Sequence, residues 1–225
     1  MKKGAKVPAP PELTSWQVRV LDAVARSPLA NDATFGGATA LAAVYLHHRR
    51  SADLDFFFLR EVHPADVQSL TTVLKREFRL EARTMGPRTM LILSSRGREV
   101  GHVDLAFYPY DPVGRPKLWR GLRVDAIEDM AVNKIQAVLT RARERDFVDL
   151  YFLLREGPER DVEKLLSLVR AKFDAGPSRV TLAESLLRAE EIRELPEMIR
   201  PLTIDELREF FVSLARRLVA KGPRY

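Results

Sequence analysis

Cysteine is absent from the 225 residues, which excludes disulfides, zinc–thiolate centres and a thiol nucleophile. Long apolar runs are missing too, since no stretch approaches the roughly 20 residues that a membrane-spanning helix needs. The opening MKKGAKVPAPPEL carries charge and proline but no apolar segment, so it does not read as a secretory leader. Internal repeats and low-complexity segments are lacking as well. What is present is ordinary for a soluble protein: 46% hydrophobic and 30% charged residues. The length suits one large domain or two small ones, with enough chain to bury a core. A net charge of +6 and a pI of about 9.7 suit polyanionic partners. Arginine-rich proteins also reach such values without binding nucleic acid, so charge alone is mild support.

The densest stretch is FGGATALAAVYLHHRRSADLDFFF, Phe35 to Phe58. Its end alternates Leu54, Phe56 and Phe58 with Asp53, Asp55 and Phe57, a period of two that predicts a strand. Residues two apart on a strand share a face, so Asp53 and Asp55 project side by side. Two adjacent carboxylates repel unless a cation lies between them, and a hard divalent ion such as Mg2+ suits oxygen ligands. Gly36-Gly37 precede a predicted helix over 38–47. A glycine turn entering a helix offers N–H groups to a phosphate. Separately, a D-x-D is commonly a solvated strand end and a Gly-Gly a plain turn; in this order, joined by a helix of about three turns, they are more specific. The basic run His47-His48-Arg49-Arg50 either guides an RNA backbone or packs at the helix end and faces water.

Residues 1–10 read as a frayed tail. A helix is expected from Pro11 to about Arg26, with Leu13, Trp16, Val20, Leu21 and Val24 as its apolar stripe, and a short strand from Asn31 to Phe35. After the D-x-D strand come a helix over 64–78, with Val67, Leu70, Val73, Leu74 and Phe78 inward, and three antiparallel strands over 80–85, 89–95 and 100–108. A short strand over 122–124 closes the sheet. Asp104 sits among apolar neighbours within the third of these strands. An aspartate there is disfavoured and costly if buried alone; a partner cation explains it, as does an exposed sheet face.

From residue 125 the pattern is helical only, with Asp125 as a cap and further helices over 145–155, 158–173, 178–192 and from Thr203, where Thr203 and Glu206 make a capping box. The fold class is therefore α+β: a mixed sheet with flanking helices over 1–125, then a helical bundle over 126–225. Lys134 and Arg141 share a helix face, as do Asp146 and Asp149 on the next helix. Such a set makes either a structural salt-bridge network or a site in which Lys134 meets a triphosphate and the acids orient it or an attacking hydroxyl.

Gly36-Gly37, His48-Arg49-x-Ser51-x-Asp53-x-Asp55-Phe56-Phe57, Lys134-x-x-Ala137 and Arg145-Asp146-x-x-Asp149-Leu150-Tyr151 together resemble the AbiEii/AbiGii-type nucleotidyltransferases, toxins of type IV-like toxin–antitoxin and abortive-infection systems. The motifs span residues 35 to about 155. The resemblance implies a nucleotidyltransferase fold and transfer of a nucleoside monophosphate from an NTP, with Mg2+, in the cytoplasm. The implied acceptor is tRNA or another RNA, and the implied partner an antitoxin. It casts Asp53, Asp55 and Asp104 as metal ligands, suited to two Mg2+ about 3.5–4 Å apart. Gly36, Gly37, Ser51 and Lys134 become phosphate contacts, and Asp146 and Asp149 assisting groups. His48, Arg49, Arg50, Arg141 and Arg145 are the RNA-contact candidates. One departure stands out: Ala38 replaces the Ser or Thr usual after the glycines, and Thr39 is expected to supply the hydroxyl instead. Transfer to a small molecule or protein, and an inactive nucleotide- or RNA-binding relative, are the alternative readings.

Overall fold

The computed structural model describes residues 10–220; the tail expected over residues 1–10 lies, apart from Pro10, outside them. The chain divides into two units. The first holds the chain up to Tyr45, Ser51–Pro109 and Pro116–Asp125; the second holds Leu46–Arg50, Tyr110–Arg115 and the chain from Ala126. Sequence reading placed 46–50 and 110–115 in the first unit, and nothing in their composition marks them as visitors.

The first unit is a seven-stranded mixed sheet with helices. Its elements are α1 (Ser15–Ala25), β1 (Thr34–Gly36), α2 (Gly37–Leu41), β2 (Leu54–Phe58), α3 (Pro64–Leu74), β3 (Arg79–Met85), β4 (Arg88–Ser95), β5 (Arg98–Phe107), β6 (Lys117–Trp119) and β7 (Leu122–Val124). The strand order is β3-β4-β5-β2-β1-β7-β6. The β3-β4-β5 meander is antiparallel, while β5 runs parallel to β2 and β7 parallel to β1. Register puts Leu54 beside Val103 and Phe56 beside Leu105, and all four are fully buried. Each large apolar side chain so buried contributes roughly 1.5–3 kcal/mol. That face is the core, so the alternate residues, including both D-x-D carboxylates, must lie on the other.

The expected stripe of α1 is buried throughout. Trp16 packs over Gly101, where a Cβ would come within 2.4 Å of the indole. The helix from the double glycine does not stay regular: α2 gives way to a π-helical turn over Ala42–Leu46, ended by His47 at φ 51°. α3 stops at Leu74, leaving Phe78 buried beyond its end and Val73 exposed. The three-residue β6 was not anticipated.

The second unit contains α4 (Ile127–Thr140), α5 (Glu144–Glu156), α6 (Val162–Phe173), α7 (Arg179–Leu187) and α8 (Ile204–Ala220). Its core includes Ile135, Val138, Phe147, Leu150, Leu165, Leu182, Leu207 and Phe211. The capping box at α8 forms as expected: the Thr203 N–H donates to Glu206 at 2.8 Å, and the Glu206 N–H to the Thr203 hydroxyl at 3.2 Å. Asp125 is not the cap of α4. Ala126 holds that position, and Glu128 and Asp129 in the first turn answer the helix dipole. α6 starts later than expected, capped by the Asp161 carboxylate, which accepts from the Glu163 N–H at 2.9 Å.

Candidate active site

Two clusters of charged side chains form, one in each unit. In the sheet unit, Asp55 lies in register with Asp104 on the parallel neighbour β5, and with Gly36 on β1. Residues beside one another in a parallel pair point the same way, so Asp53, Asp55 and Asp104 share the face opposite the core. The glycine turn lies directly on this acid face. Gly37 has φ +67°, and a Cβ there would come within 2.0 Å of Asp55 Oδ2; one on Gly36 would come within 2.5 Å of the Phe57 ring. Only glycine allows the chain to pass so close to the carboxylate.

Two further residues, which sequence reading did not single out, stand on this face, and the Asp125 carboxylate lies at the glycine turn, where a Cβ on Gly36 would come within 2.6 Å of its Oδ2. Arg88 on β4 grips Asp104 with both prongs: Nε donates to Oδ1 at 2.6 Å and Nη2 to Oδ2 at 2.5 Å. Asp104 is 6% exposed. The hydrogen bonds to Asp104, then its charge and those of Asp55 and Asp53, hold the Arg88 guanidinium above its ordinary range against the effect of burial. His102, two residues before Asp104, places Nδ1 3.1 Å from Asp53 Oδ1; its Nε2 is 3.7 Å from Asp104 Oδ2, too far for a hydrogen bond. Among the described residues, no three Asp, Glu, His or Cys side chains converge as a ready metal site. The strand alternation Arg88, Met90, Ile92 was visible in the sequence, but nothing along the chain links Arg88 to Asp104. Only the hairpin register, Arg88 beside Ala106 and Met90 beside Asp104, brings them together.

The loop before β2 is held from behind. Gln17 on α1, fully buried, donates from Nε2 to the carbonyls of Ser51 at 2.8 Å and Ala52 at 3.2 Å. Ser51 is half-buried. Thr39 does not take the role expected of it. It is buried, and its hydroxyl donates to the backbone carbonyl of Asp53, so it braces the start of the acid strand instead of meeting a phosphate.

The second cluster lies in the helical unit. Asp149 is fully buried and surrounded by donors. Arg49 reaches it with Nε at 2.6 Å and Nη2 at 2.9 Å, and His48 Nε2 lies 2.8 Å away. Lys134 Nζ completes the set at 2.7 Å and also donates to Asp146 at 3.0 Å. Arg141 then grips Asp146 with two bonds of 2.8 Å. Burial pushes Asp149 upward, yet Lys134, Arg49 and His48 hold it well below the usual carboxylate range. Burial pulls His48 down despite Asp149. A neutral His48 then donates from Nε2, leaving Nδ1 buried without a partner.

This corrects several expectations. His48 and Arg49 are fully buried partners of Asp149, not RNA contacts. Asp146 and Asp149 are sealed among cations, so they position Lys134 and do not meet an attacking hydroxyl. Arg141 is committed to Asp146, while Arg50 pairs with Glu197 at 2.8 Å and Arg145 is half-buried. The basic run reads as a surface feature because its acidic partner stands 100 residues away.

Among solved structures, the fold is similar to JHP933 of Helicobacter pylori (16% identical, TM-score 0.55, covering 93% of this chain and 94% of that one). It is also similar to an H. pylori protein described as a candidate nucleotidyltransferase (18% identical, TM-score 0.57, covering 95% of this chain and all of that one). An uncharacterized protein of Aquifex aeolicus is 28% identical over 207 residues, 89% of this chain and 94% of that protein. The profile of one family, described as nucleotidyl transferase AbiEii toxin, type IV TA system, matches residues 19–218. With nearly the whole chain matched, this protein belongs to the AbiEii nucleotidyltransferase toxin family.

Proposed function

We propose that this nucleotidyltransferase moves a nucleoside monophosphate from an NTP to a hydroxyl of an RNA of the tRNA class, with Mg2+, as the toxin of a cytoplasmic toxin–antitoxin pair. The observation that carries the reading is the acid face: Asp53, Asp55 and Asp104 on one side of two neighbouring strands, with the Gly36-Gly37 turn packed against Asp55.

The donor set fits a hard divalent cation at Asp53 and Asp55, which offer carboxylate oxygens on one face. When bound there, such an ion supplies Lewis-acid stabilisation of phosphate charge. The chain's own part is positioning. The glycine turn, free of Cβ atoms, lets a triphosphate approach the carboxylates, and the Ser51 hydroxyl adds a contact. Thr39 and Gln17 fix the backbone from which Asp53 projects. Lys134 is retained as a triphosphate contact on its motif match, with Asp146 and Asp149 fixing its ammonium. The acceptor hydroxyl attacks the α-phosphorus in line, its oxygen forming a bond as the bond to pyrophosphate breaks and the hydroxyl proton passes to solvent. Orientation and electrostatics carry the rate. An RNA acceptor is favoured over a small one by the net charge of +6. No helix among the described residues is long and apolar enough to cross a membrane.

The test is incubation with each labelled NTP, Mg2+ and total tRNA. Label on tRNA, lost in Asp55→Ala, supports the reading. Label on protein or a small acceptor moves the activity to another substrate class, and nucleotide binding without transfer marks an inactive relative.

A further inference from the structure

The two edges of the sheet are built differently. β6 is three residues long, begins with Lys117 and follows Pro116, all features that discourage strand pairing. β3 runs for seven residues, RLEARTM, without proline, lysine or glycine, and its register with β4 is unbroken from Arg79 to Met85. All of its residues but Leu80 are exposed. α3 does not seal it: an open cleft of about 400 Å3 lies between helix and strand, lined by Val67, Thr71, Leu80, Ala82 and Thr84.

The hairpin decides which backbone groups point outward. Gly86-Pro87 form a two-residue loop, so Met85 and Arg88 close it as a hydrogen-bonded pair. Such pairs alternate along an antiparallel ladder. Arg83, Glu81 and Arg79 therefore also bond β4, while Thr84, Ala82 and Leu80 turn their N–H and C=O groups to the open edge.

We propose that this edge joins a second copy of the chain, antiparallel, about a two-fold axis at Ala82. An interface of that symmetry must be self-complementary, and β3 is. The register centred on Ala82 pairs all seven residues. It sets Leu80 of one copy beside Thr84 of the other, and Glu81 of each copy opposite Arg83 of the other. Those charges fall at the non-hydrogen-bonded positions, where side chains come closest. Within one chain Arg83 Nε already lies 2.8 Å from Glu81 Oε1, and the two side chains are 55% and 61% exposed. Pairing merges the two couples into a cluster of four charges of alternating sign. Met85, 50% exposed, falls opposite Arg79 of the other copy, whose aliphatic stem covers it. Centring on Glu81 or Arg83 sets like charges face to face, and centring on Leu80 or Thr84 pairs only three residues of the strand.

A two-fold axis normal to the sheet keeps both acid faces on one side. Seven strand spacings of about 4.8 Å then separate one β2 from the other, roughly 34 Å in all. The pairing itself does not depend on the chemistry those faces perform.

Sedimentation velocity of the full chain, from about 1 to about 100 μM at low ionic strength, tests this. The wild type should be dimeric within that range. Glu81→Arg or Arg83→Glu alone puts like charges opposite each other at both symmetric positions, and should weaken the dimer about tenfold or more. Both side chains are exposed, so neither change touches the core. The double exchange, Glu81→Arg with Arg83→Glu, should restore the dimer. The deciding arm mixes the two single variants. Each repels its own copy, but between them every cross-strand pair is again of opposite sign, so a heterodimer should form. A monomeric wild type across the range overturns the proposal. So does a dimer that both single variants leave intact, or single variants that stay apart when mixed.

Discussion

Asp55 and Gly37 are in contact range only because Gly37 has no side chain: a Cβ built there would lie 2.0 Å from Asp55 Oδ2. The glycine turn and the acid strand are therefore one fitted piece, and each constrains the other. Gly37→Ala combines that clash with φ +67°. The backbone strain alone costs about 1–2 kcal/mol, and displacing the carboxylate by about 1 Å costs on the order of 100-fold in transfer rate. Urea denaturation and labelled-NTP transfer measure the two effects.

Asp149 is predicted to be the most sensitive residue for stability. Asp149→Ala strips Arg49, Lys134 and His48 of a shared buried acceptor. Breaking a buried pair from one side costs about 3–5 kcal/mol. Arg141→Ala should cost only about 0–1 kcal/mol, because the Arg141 side chain is 49% exposed and Asp146 keeps Lys134. Chemical denaturation of the two variants gives the contrast directly.

Acid should weaken the fold in two separate windows. Burial holds His48 below its ordinary 6.5. As pH falls below that value the unfolded chain takes up a proton that the folded chain refuses, so stability declines towards the folded pKa. Asp149 and Asp146 are held below the ordinary 3.8. Their contribution is complete above 3.8 and is lost as pH falls through the lower folded values. His48→Gln keeps a donor near the Nε2 position and should flatten the first window while leaving the second. Denaturation midpoints compared at about pH 8 and about pH 5.5 check it.

Gln17 stands on a helix whose apolar stripe hides its importance. Gln17→Leu removes the donor to Ser51 and Ala52 and should cost about 1–3 kcal/mol. It should also lower transfer more than nucleotide binding, because it disturbs the approach to Asp53. A fall in kcat larger than the change in KM is the expected result.

The acid face could be read from the chain because it rests on local rules: period-two alternation, a glycine turn, and an aspartate out of place within a strand. The helices of the second unit were legible for the same reason, with Thr203 and Glu206 marking α8. What escaped was non-local. Arg88 meets Asp104 only through hairpin register, and His48 and Arg49 meet Asp149 across 100 residues. A run of basic residues looks alike in sequence whether it faces water or a buried acid. β6 is three residues long with Leu118 exposed, too short for alternation to speak. The widening of α2 into a π-helical turn breaks no propensity rule, and no residue in it announced the change.

Because Leu46–Arg50 leave the sheet unit between the glycine turn and the acid strand, neither unit is a transferable cassette. A fragment ended at Asp125 would carry His48 and Arg49 away from Asp149, the carboxylate both of them bond, and a fragment begun at Ala126 would strand Asp149 with fewer cations. Recombination or domain grafting at that apparent seam should therefore yield insoluble halves, and homologous exchange is expected to move the whole of 35–155 as a block.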